Sequence, residues 1–499
     1  MGRTDIESEN NLKDLSKHYL YSLFYPKNIV VVGASPRPNM GVSLYLDTYK
    51  KYGYGIGSKL PHIYPVNPKY EGELIYGLWK CYKDLESIPE PIDIVISCIN
   101  AKFVPNLLRD CIKVGAKFLV IYTSGFSEVG KRGQSYADEL RTILAKNKTT
   151  RVLGPNCFGS FNSQINLNIS RFADIYPGTL SIFSQSGGFA NRTIEISKKR
   201  GLGLNYGISV GNMADIDFND FLDFINLDRK TNVIGLYLES VKDLNRGRLF
   251  IKKLKQTTKK RPVVILKGGR SDAGKKACLS HTGSIAGSDL IYEAVFKQTN
   301  VISVKSSIEF YDICYLLTLY HPDKIIRGKN VCLVVPGGGN SVEMSDLLNE
   351  IGINFPEISK ETQDKLAELL YDVNTSFKNP IDVGAYGILP EMILNTVKLV
   401  IKEKNIDFII IVLQISRILG LQFGYDKFAG SFARSLGRLS RKTSKNFIVI
   451  PMVDEDSDKT IREYNALKSV LNKFRIPHFP NIDRLAKALK YYFQYYQIK

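Results

Sequence analysis

The chain has 499 residues, of which 44% are hydrophobic and 23% are charged. These proportions are ordinary for a globular protein and exclude a disordered, collagen-like or fibrous chain. Its 68 Lys and Arg residues outnumber its 49 Asp and Glu residues, which gives a net charge of +19. That excess would suit nucleic acid, a polyanionic small molecule or only solubility. Because the basic residues are scattered and no nucleic-acid-binding motif occurs, we expect no nucleic-acid partner.

The sequence contains no clear targeting signal, membrane-spanning segment or metal-binding cysteine motif. No apolar run reaches the ~18 residues of a membrane-spanning helix, and the most apolar stretch, residues 406–415, contains Asp407 and Gln414. The start, MGRTDIESENN, lacks the apolar core of a secretory signal. We therefore expect a cytoplasmic protein with no membrane span. The seven cysteines never approach C-x2-C spacing, so we expect reduced thiols and no metal site.

After a polar start, short β-branched runs alternate with longer amphipathic stretches. This alternation predicts a parallel α/β architecture. Strand-like runs form three successive series, for example at residues 28–33, 179–184 and 329–339. The sequence therefore predicts three tandem doubly wound units. The predicted boundaries are an N-terminal extension at 1–25, domains at 26–150 and 151–305, a linker at 306–329 and a third domain at 330–499.

The first predicted strand runs into the loop VVVGASPRPNMG, where Gly33 ends the strand and Gly41 opens the next helix. Such a loop lets backbone amides and a helix N-terminus meet a phosphate. It lacks the full G-x-G-x-x-G spacing, and the second strand ends at Asn67, Pro68 and Lys69 instead of an acidic residue. A lysine there suits an extra phosphate better than a nicotinamide ribose. A tight turn with no ligand is the alternative.

Two further loops join an apolar strand to a helix-like stretch. SQSGG, residues 184–188, places two hydroxyls and two glycines at a predicted helix N-terminus, which favours an anion. An ordinary N-cap serine is the alternative. PGGGNS, residues 336–341, repeats the arrangement. Consecutive glycines there suggest positive φ or the close approach of a ligand.

His281 lies in CLSHTGSIAGS, residues 278–288, a run of small residues that predicts a mobile loop. A histidine among glycines and hydroxyls acts as a nucleophile if one ring nitrogen is free and the other is held. Glu239, which closes the apolar strand VIGLYLE, is the candidate to hold it. A surface or core histidine and a solvated strand end are the alternatives. Hydrolase and kinase motifs are absent from the sequence.

Taken together, the motifs resemble those of the alpha subunit of the nucleoside-diphosphate-forming acyl-CoA synthetases, the ADP-forming acetyl-CoA synthetase group related to succinyl-CoA synthetase. The resemblance covers nearly the whole chain from about Tyr25. SHTGS and GPNCFG, occurring together, are its most specific signals. The motifs follow the family's order: VVGAS, YPVNPK, TSGFSEVG, GPNCFG, SQSGG, SVGNMADID, LYLES, LKGGR, SHTGS and NPIDV.

The resemblance implies a Rossmann-like CoA-binding domain followed by two flavodoxin-like domains. It implies that His281 is phosphorylated and that Glu239 holds its ring. The residues implied for coenzyme A are Gly33, Ala34, Ser35, Asn67, Pro68, Lys69, Ser97 and Asn156. Those implied for phosphate and the acyl group are Ser184, Gln185, Ser186, Gly187, Gly188, Gly337, Gly338, Gly339 and Asn340.

The activity implied by the resemblance is a reversible acid–thiol ligation. Phosphate attacks an acyl-CoA to give acyl phosphate, His281 takes the phosphoryl group, and ADP receives it. No ATP-grasp domain is visible in the sequence, so we expect a separate ATP-grasp beta subunit to bind Mg-ADP or Mg-ATP in an α2β2 assembly. PGGGNS, Ser240 and LQISRIL (residues 413–419) depart from the family's glycine patterns, so acetate is not assured as the acid.

Three other functions stay open at this point. A ligase of the same family could act on an aryl, hydroxy or dicarboxylic acid, which the sequence does not distinguish. A non-catalytic CoA-sensing or scaffold subunit would be expected to lose His281 or Glu239, and both are present. An NAD-dependent oxidoreductase would need an acidic residue where Asn67 stands.

Overall fold

A computed structural model gives the fold. It describes residues 3–37, 40–147, 149–169, 173–241, 243–282, 288–370, 374–420, 427–454 and 457–498. The chain forms two compact units, Met1–Phe310 and Tyr311–Lys499. The first unit contains two of the predicted doubly wound sheets, and the second unit contains the third.

The first sheet begins the first unit. Its β-branched strands are buried along their whole length at β1 and β5, as expected for a parallel sheet covered on both faces. Three short 3-10 helices, Pro68–Tyr70, Ala101–Phe103 and Ser127–Val129, follow its strand ends. The elements of this part of the chain are α1 Arg3–Leu15, α2 Tyr21–Phe24, β1 Asn28–Val32, α3 Met40–Tyr52, β2 His62–Val66, β3 Leu74–Ile75, β4 Trp79–Lys80, β5 Ile94–Ser97, α4 Val104–Lys113, β6 Phe118–Ile121, α5 Lys131–Lys146 and β7 Arg151–Leu153. Strands β3 and β4 form a separate antiparallel pair.

The spatial order of this sheet is β2-β1-β5-β6-β7, and all four neighbouring pairs are parallel. The chain leaves β1 toward one edge and returns on its other side at β5, so the strand order reverses there. Ligands bind outside the carboxyl ends of strands at such a switch point. Because β7 pairs with β6, the domain boundary predicted after residue 150 falls before the last strand of the first sheet.

The second sheet completes the first unit and has the order β13-β12-β11-β9-β10-β8. Its strands are parallel except β8, which pairs antiparallel with β10 at the edge. The strand order reverses between β9 and β11. Its elements are β8 Gly159–Asn162, β9 Pro177–Ser184, α6 Gly187–Arg200, β10 Leu204–Ser209, α7 Phe218–Leu227, β11 Val233–Leu238, α8 Leu244–Thr258, β12 Val263–Lys267, α9 Asp272–Thr282, α10 Asp289–Gln298 and β13 Ile302–Val304. Helix α11 Ser307–Tyr320 follows, and the boundary between the two units falls within it.

The predicted N-terminal extension packs into the core of the first unit. Leu15, Leu20, Leu23 and Phe24 are fully buried. The carbonyl oxygens of Leu23 and Phe24 accept hydrogen bonds from Ser160 Oγ (2.7 Å) and Asn162 Nδ2 (3.0 Å), which belong to β8. The segment therefore contributes to the hydrophobic core and contacts the second sheet.

The second unit contains one parallel sheet with the order β15-β14-β16-β17. Its central strands are buried throughout. A 3-10 helix, Gly384–Ile388, follows β15. Its elements are β14 Val331–Val335, α12 Gly338–Asn349, α13 Lys360–Leu369, β15 Ile381–Asp382, α14 Pro390–Val400, β16 Phe408–Gln414, α15 Ile415–Gly420, α16 Phe428–Ser440, β17 Asn446–Met452, α17 Asp458–Lys473 and α18 Ile482–Tyr496.

None of the helices in the described ranges has both the length and the apolar character that crossing a bilayer requires. Within the same ranges, no group of three or more His, Cys, Asp or Glu side chains is arranged to hold a metal ion.

Candidate functional site

A cleft of about 560 Å³ opens in the first unit. It lies at the carboxyl ends of strands from both sheets, where parallel α/β folds place their ligands. The first turn of α3 and the loops after β5, β6 and β7 form one side, and the β9–α6 junction forms another. The lining residues are Gly41, Cys98, Ile99, Asn100, Tyr122, Thr123, Ser124, Asn156, Cys157, Phe158, Gln185, Ser186, Gly187 and Gly188.

The cleft is polar without charged side chains among the lining residues that the structure describes. Burial raises the pKa of the Cys98 thiol, raises that of Cys157 to about 12, and raises the pKa of the Tyr122 hydroxyl. These three groups are therefore neutral near pH 7. An anion in this cleft would depend on hydrogen-bond donors and on helix dipoles for its stabilisation.

The SQSGG segment supplies such a dipole. Ser186 is the N-cap of α6, and its hydroxyl oxygen accepts a hydrogen bond from the Phe189 amide (3.2 Å). Ser184 stabilises the turn before α6, because its Oγ donates to the Ser186 carbonyl (2.7 Å) and accepts from the Ser186 amide (3.1 Å). The first amides of a helix have no partner inside the helix. The N-terminus of α6, starting at Gly187, thus borders the cleft, and a helix N-terminus favours negative charge.

Gln185 links this loop to the end of β11. Its amide donates to the Tyr237 carbonyl (3.1 Å), and its side-chain oxygen accepts from the amides of Glu239 (2.5 Å) and Ser240 (3.0 Å). Gln185 and Glu239 are both buried. The structure therefore brings the predicted SQSGG and Glu239 sites together, at the point where the order of the second sheet reverses.

Glu239 lies among buried ionisable groups. Burial raises the pKa of Tyr237, and the Glu239 charge adds to that rise. Burial lowers the pKa of Lys267, although Cys278, Asp289 and Glu239 oppose this shift. The Lys267 ammonium donates to the Gly268 carbonyl and lies 4.7 Å from the centroid of the Tyr292 ring. Lys267 is thus buried and close enough to the predicted histidine-holding carboxylate for the two side chains to interact electrostatically.

His281 lies near the end of α9, which runs from Asp272 to Thr282. The prediction of a loop beginning at Cys278 is therefore wrong for its first residues: DAGKKACLSHT contains Ala, Lys and Leu, which favour helix. The rest of the predicted loop, residues 283–287, and the His281 side chain lie outside what the structure describes. Helix α9 packs against the 3-10 helix Ser127–Val129, which closely follows the lining residue Ser124.

The loops predicted to meet coenzyme A lie at the ends of the adjacent strands β1 and β2. The amides of Gly33 (2.9 Å) and Ala34 (3.3 Å) donate to the Val66 carbonyl. Asn67 Nδ2 donates to the Ala34 carbonyl (2.7 Å), and Asn67 Oδ1 accepts from the Lys69 amide (3.1 Å). Gly33 has φ +93°, which favours glycine. Gly33 to Ser35 and Asn67 to Lys69 are thus brought together.

The other two residues predicted for coenzyme A differ in position. Asn156 lines the cleft. Ser97 is fully buried at the end of β5, and its hydroxyl has no hydrogen-bond partner in the part of the chain that the structure describes. The neighbouring Thr123 hydroxyl donates to the Ile99 (2.6 Å) and Ser97 (3.3 Å) carbonyls and so ties the ends of β5 and β6 together.

Gly337 to Asn340 lie in the second unit, at the start of α12. Gly337 has φ +98°, as its place in a tight turn requires. The Gly337 and Gly384 amides both donate to Asp382 Oδ1, each at 2.8 Å, and Asn340 Nδ2 donates to the Pro336 carbonyl (3.2 Å). The Gly337 amide, the first of this predicted phosphate-binding loop, is therefore already hydrogen-bonded to the Asp382 carboxylate.

Sequence reasoning did not assign a site role to several lining residues, among them Tyr122, Thr123, Ser124 and Phe158. The signal was available, because three of these residues belong to the motifs TSGFSEVG and GPNCFG and Tyr122 immediately precedes the first. What was missing was the knowledge that these two loops border the same space as SQSGG.

Comparison with known proteins agrees with this geometry. A CoA-binding domain model matches residues 27–162, and a model of the succinyl-CoA ligase-like flavodoxin domain matches residues 177–317. The ADP-forming acetate–CoA ligase I and II alpha subunits of Pyrococcus furiosus are 37% and 34% identical to this chain, over 73% and 80% of it and 76% and 83% of their own lengths.

Longer relatives and a solved structure show the same likeness. The ADP-forming acetate–CoA ligase of Methanocaldococcus jannaschii is 36% identical over 72% of this chain, which spans about half (48%) of that relative's length. A dinucleotide forming acetyl-coenzyme A synthetase 1 from Ca. Korarchaeum cryptofilum, in complex with phosphate and ADP, superimposes with a TM-score of 0.79 at 29% identity, covering 96% of this chain and 97% of that one.

Proposed function

Because the chain belongs to the ADP-forming acetate–CoA ligase family, we propose that it is the CoA- and acyl-binding subunit of an ADP-forming acyl-CoA synthetase. The reaction interconverts acyl-CoA, ADP and phosphate with a carboxylic acid, CoA and ATP. One observation carries the proposal: the cleft joins the switch point of the CoA-binding sheet to the capped N-terminus of α6.

In the first step, phosphate attacks the thioester carbonyl. The new bond joins a phosphate oxygen to the acyl carbon, the carbon–sulfur bond breaks, and the CoA thiolate takes a proton. The N-terminus of α6 would hold the attacking phosphate, since first-turn amides and the helix dipole favour an anion. Side chains such as Ser124 and Asn156 line the same cleft and supply hydrogen-bond donors for the developing oxyanion.

In the second step, a ring nitrogen of His281 attacks the phosphorus of the acyl phosphate, and the carboxylate leaves. Glu239 would accept a hydrogen bond from the other ring nitrogen and so fix the tautomer of the nucleophile. The buried Lys267 interacts electrostatically with Glu239, and in its protonated form it would help to stabilise the negative charge of a phosphorylated ring. ADP then takes the phosphoryl group from His281, which regenerates the imidazole.

The coenzyme A nucleotide would lie against Gly33 to Ser35, with Asn67, Pro68 and Lys69 nearby. Supporting this position, Asn67 fastens the two loops to each other. Ser97 would act through the backbone of its strand end because its hydroxyl is buried. Gly337 to Asn340 would meet phosphate only if the bond from Gly337 to Asp382 gave way.

The nucleotide would bind a separate ATP-grasp beta subunit as Mg-ADP or Mg-ATP, in an α2β2 assembly. Two relatives named as alpha subunits support a partner subunit. The proposal includes a cytoplasmic location, because the reaction uses CoA and ADP, which are intracellular metabolites.

The test is phosphate-dependent release of CoA from a panel of acyl-CoAs, measured by chromatography on the full-length chain without nucleotide. We expect release for at least one acyl-CoA. Ser186→Ala removes the N-cap of α6, which costs about 1 kcal/mol of helix stabilisation. We expect slower release, because the first-turn amides that hold the phosphate are then less well ordered. The matched control is Ser457→Ala, which removes the equivalent N-cap of α17 in the second unit and should leave the rate unchanged.

Absence of release across the panel, in a chain that still binds CoA, would contradict the proposal. That result would instead support a CoA-sensing or scaffold role. Equal rates for wild type and Ser186→Ala would show that the N-terminus of α6 does not hold the attacking phosphate.

A further inference from the structure

We infer that the Tyr122 and Phe158 rings form the wall that sets the size of the acyl group. This inference rests on the proposed function, because it assigns a specificity role within the same cleft. Both side chains line the cleft. Their ring centroids lie 5.7 Å apart in an edge-to-face arrangement with an interplanar angle of 70°.

The wall is fixed from behind by Tyr45, which is 1% exposed. The Tyr45 ring meets the Tyr122 ring edge-to-face, with centroids 5.7 Å apart, and its hydroxyl donates to the Phe158 carbonyl (3.1 Å). The Phe158 amide donates to Ser209 Oγ (3.2 Å). The backbone of Phe158 is therefore held at both its amide and its carbonyl, and the Tyr122 ring is packed against the buried Tyr45 ring. This packing resists displacement of the wall by a larger group.

Close glycine contacts hold both rings against the helices that border the cleft. A Cβ at Gly187 would lie 2.2 Å from Phe158 Cδ2, and one at Gly41 would lie 3.1 Å from Tyr122 Cε1. Phe158 thus packs directly on the first residue of α6, and Tyr122 packs beside the first turn of α3.

The position of Phe158 relates the wall to the acyl group. Phosphate held at the N-terminus of α6 attacks a carbonyl carbon that must lie roughly 3–3.5 Å from the attacking oxygen. The carbonyl therefore lies close to Gly187, and the group attached to it meets the ring that covers Gly187. A rigid wall at that distance admits a short acyl chain and rejects a longer one.

A structural alternative is that the pantetheine arm of CoA lies against these rings. In that case, shortening either ring would change KM for every acyl-CoA by the same factor. In the arrangement we infer, the change depends on acyl length, so the ratio of kcat/KM between two acyl-CoAs distinguishes the two positions.

The experiment measures kcat/KM for phosphate-dependent CoA release from acetyl-CoA and hexanoyl-CoA with the full-length chain. We expect Tyr122→Ala and Phe158→Leu each to raise the hexanoyl-to-acetyl ratio by at least about tenfold, the scale on which pocket size discriminates between acyl chains. Tyr122→Phe keeps the ring and should leave the ratio within about twofold of wild type. Phe103→Ala removes an exposed ring outside the lining residues and should also leave it unchanged.

The ratio of kcat/KM in these variants distinguishes a wall that sets acyl size from one that contacts the pantetheine arm. An unchanged ratio in Tyr122→Ala and Phe158→Leu, with CoA release retained, would overturn it and support the pantetheine arrangement. A changed ratio in Tyr122→Phe would overturn it too, because the hydroxyl and not the ring would then matter. No phosphate-dependent release by the wild-type chain from any acyl-CoA would overturn the proposed function and this inference together.

Discussion

Gly187 allows the helix that borders the cleft to start directly under an aromatic ring. Its backbone lies so close to Phe158 that an added Cβ would be 2.2 Å from the ring. The next residue, Gly188, has open space by comparison, since an added Cβ there would have Ser186 Oγ as its nearest neighbour at 3.9 Å. Two adjacent glycines of the same motif therefore have different structural roles.

We predict that Gly187→Ala destabilises the chain by about 1–3 kcal/mol, the usual cost of forcing an extra methyl group into a packed site. Gly188→Ala should leave the free energy of unfolding unchanged or raise it by up to about 1 kcal/mol, because nothing has to move and alanine loses less backbone entropy than glycine in a helix. Urea unfolding of both variants measures this difference. Similar values for the two variants would show that Phe158 does not cover Gly187 in solution.

At the scale of elements, one ion pair fastens the two sheets of the first unit together. Arg151 starts β7 of the first sheet, and its Nε and Nη2 donate to the two carboxylate oxygens of Asp215 at 2.7 and 2.9 Å. Asp215 also accepts from the Val152 amide (2.9 Å) and lies in the loop that leads to α7 of the second sheet. Both side chains are largely shielded from solvent, with exposed fractions of 26% and 16%.

We predict that Asp215→Ala lowers the free energy of unfolding by about 3 kcal/mol, because it leaves a partly buried guanidinium without its carboxylate. The control is Glu86→Ala. Its ion pair with Lys113 is 60% and 66% exposed, so its loss should cost less than about 1 kcal/mol. Chemical denaturation of the two variants provides the comparison, and equal losses would mean that the Arg151–Asp215 pair adds no more stability than an exposed pair.

The elements also show what periodicity can and cannot predict. The apolar runs around β1, β9 and β14 predicted strands that the structure contains, because a buried parallel strand needs a continuous β-branched run. The small residues of Cys278 to Thr282 predict a loop, yet this segment extends a helix whose preceding residues favour that conformation.

At the scale of the whole molecule, the order of short motifs predicted the family, and the alternation of runs predicted the α/β class. The cleft could not be predicted, because its walls come from loops that are far apart in the sequence, such as those containing Tyr122, Phe158 and Ser186. The hydrogen bond from the Gly337 amide to Asp382 could not be predicted either, since it joins a glycine loop to a strand that follows two intervening helices.

The central claim is that this chain transfers a phosphoryl group from an acyl phosphate to His281. The most direct measurement is mass spectrometry at alkaline pH on the full-length chain after incubation with acyl-CoA and phosphate, with no nucleotide present. We predict phosphate on His281, loss of this label in His281→Ala, and unchanged CoA binding by that variant. Phosphate found on the His281→Ala chain, or no label with any acyl-CoA that the chain binds, would contradict the account.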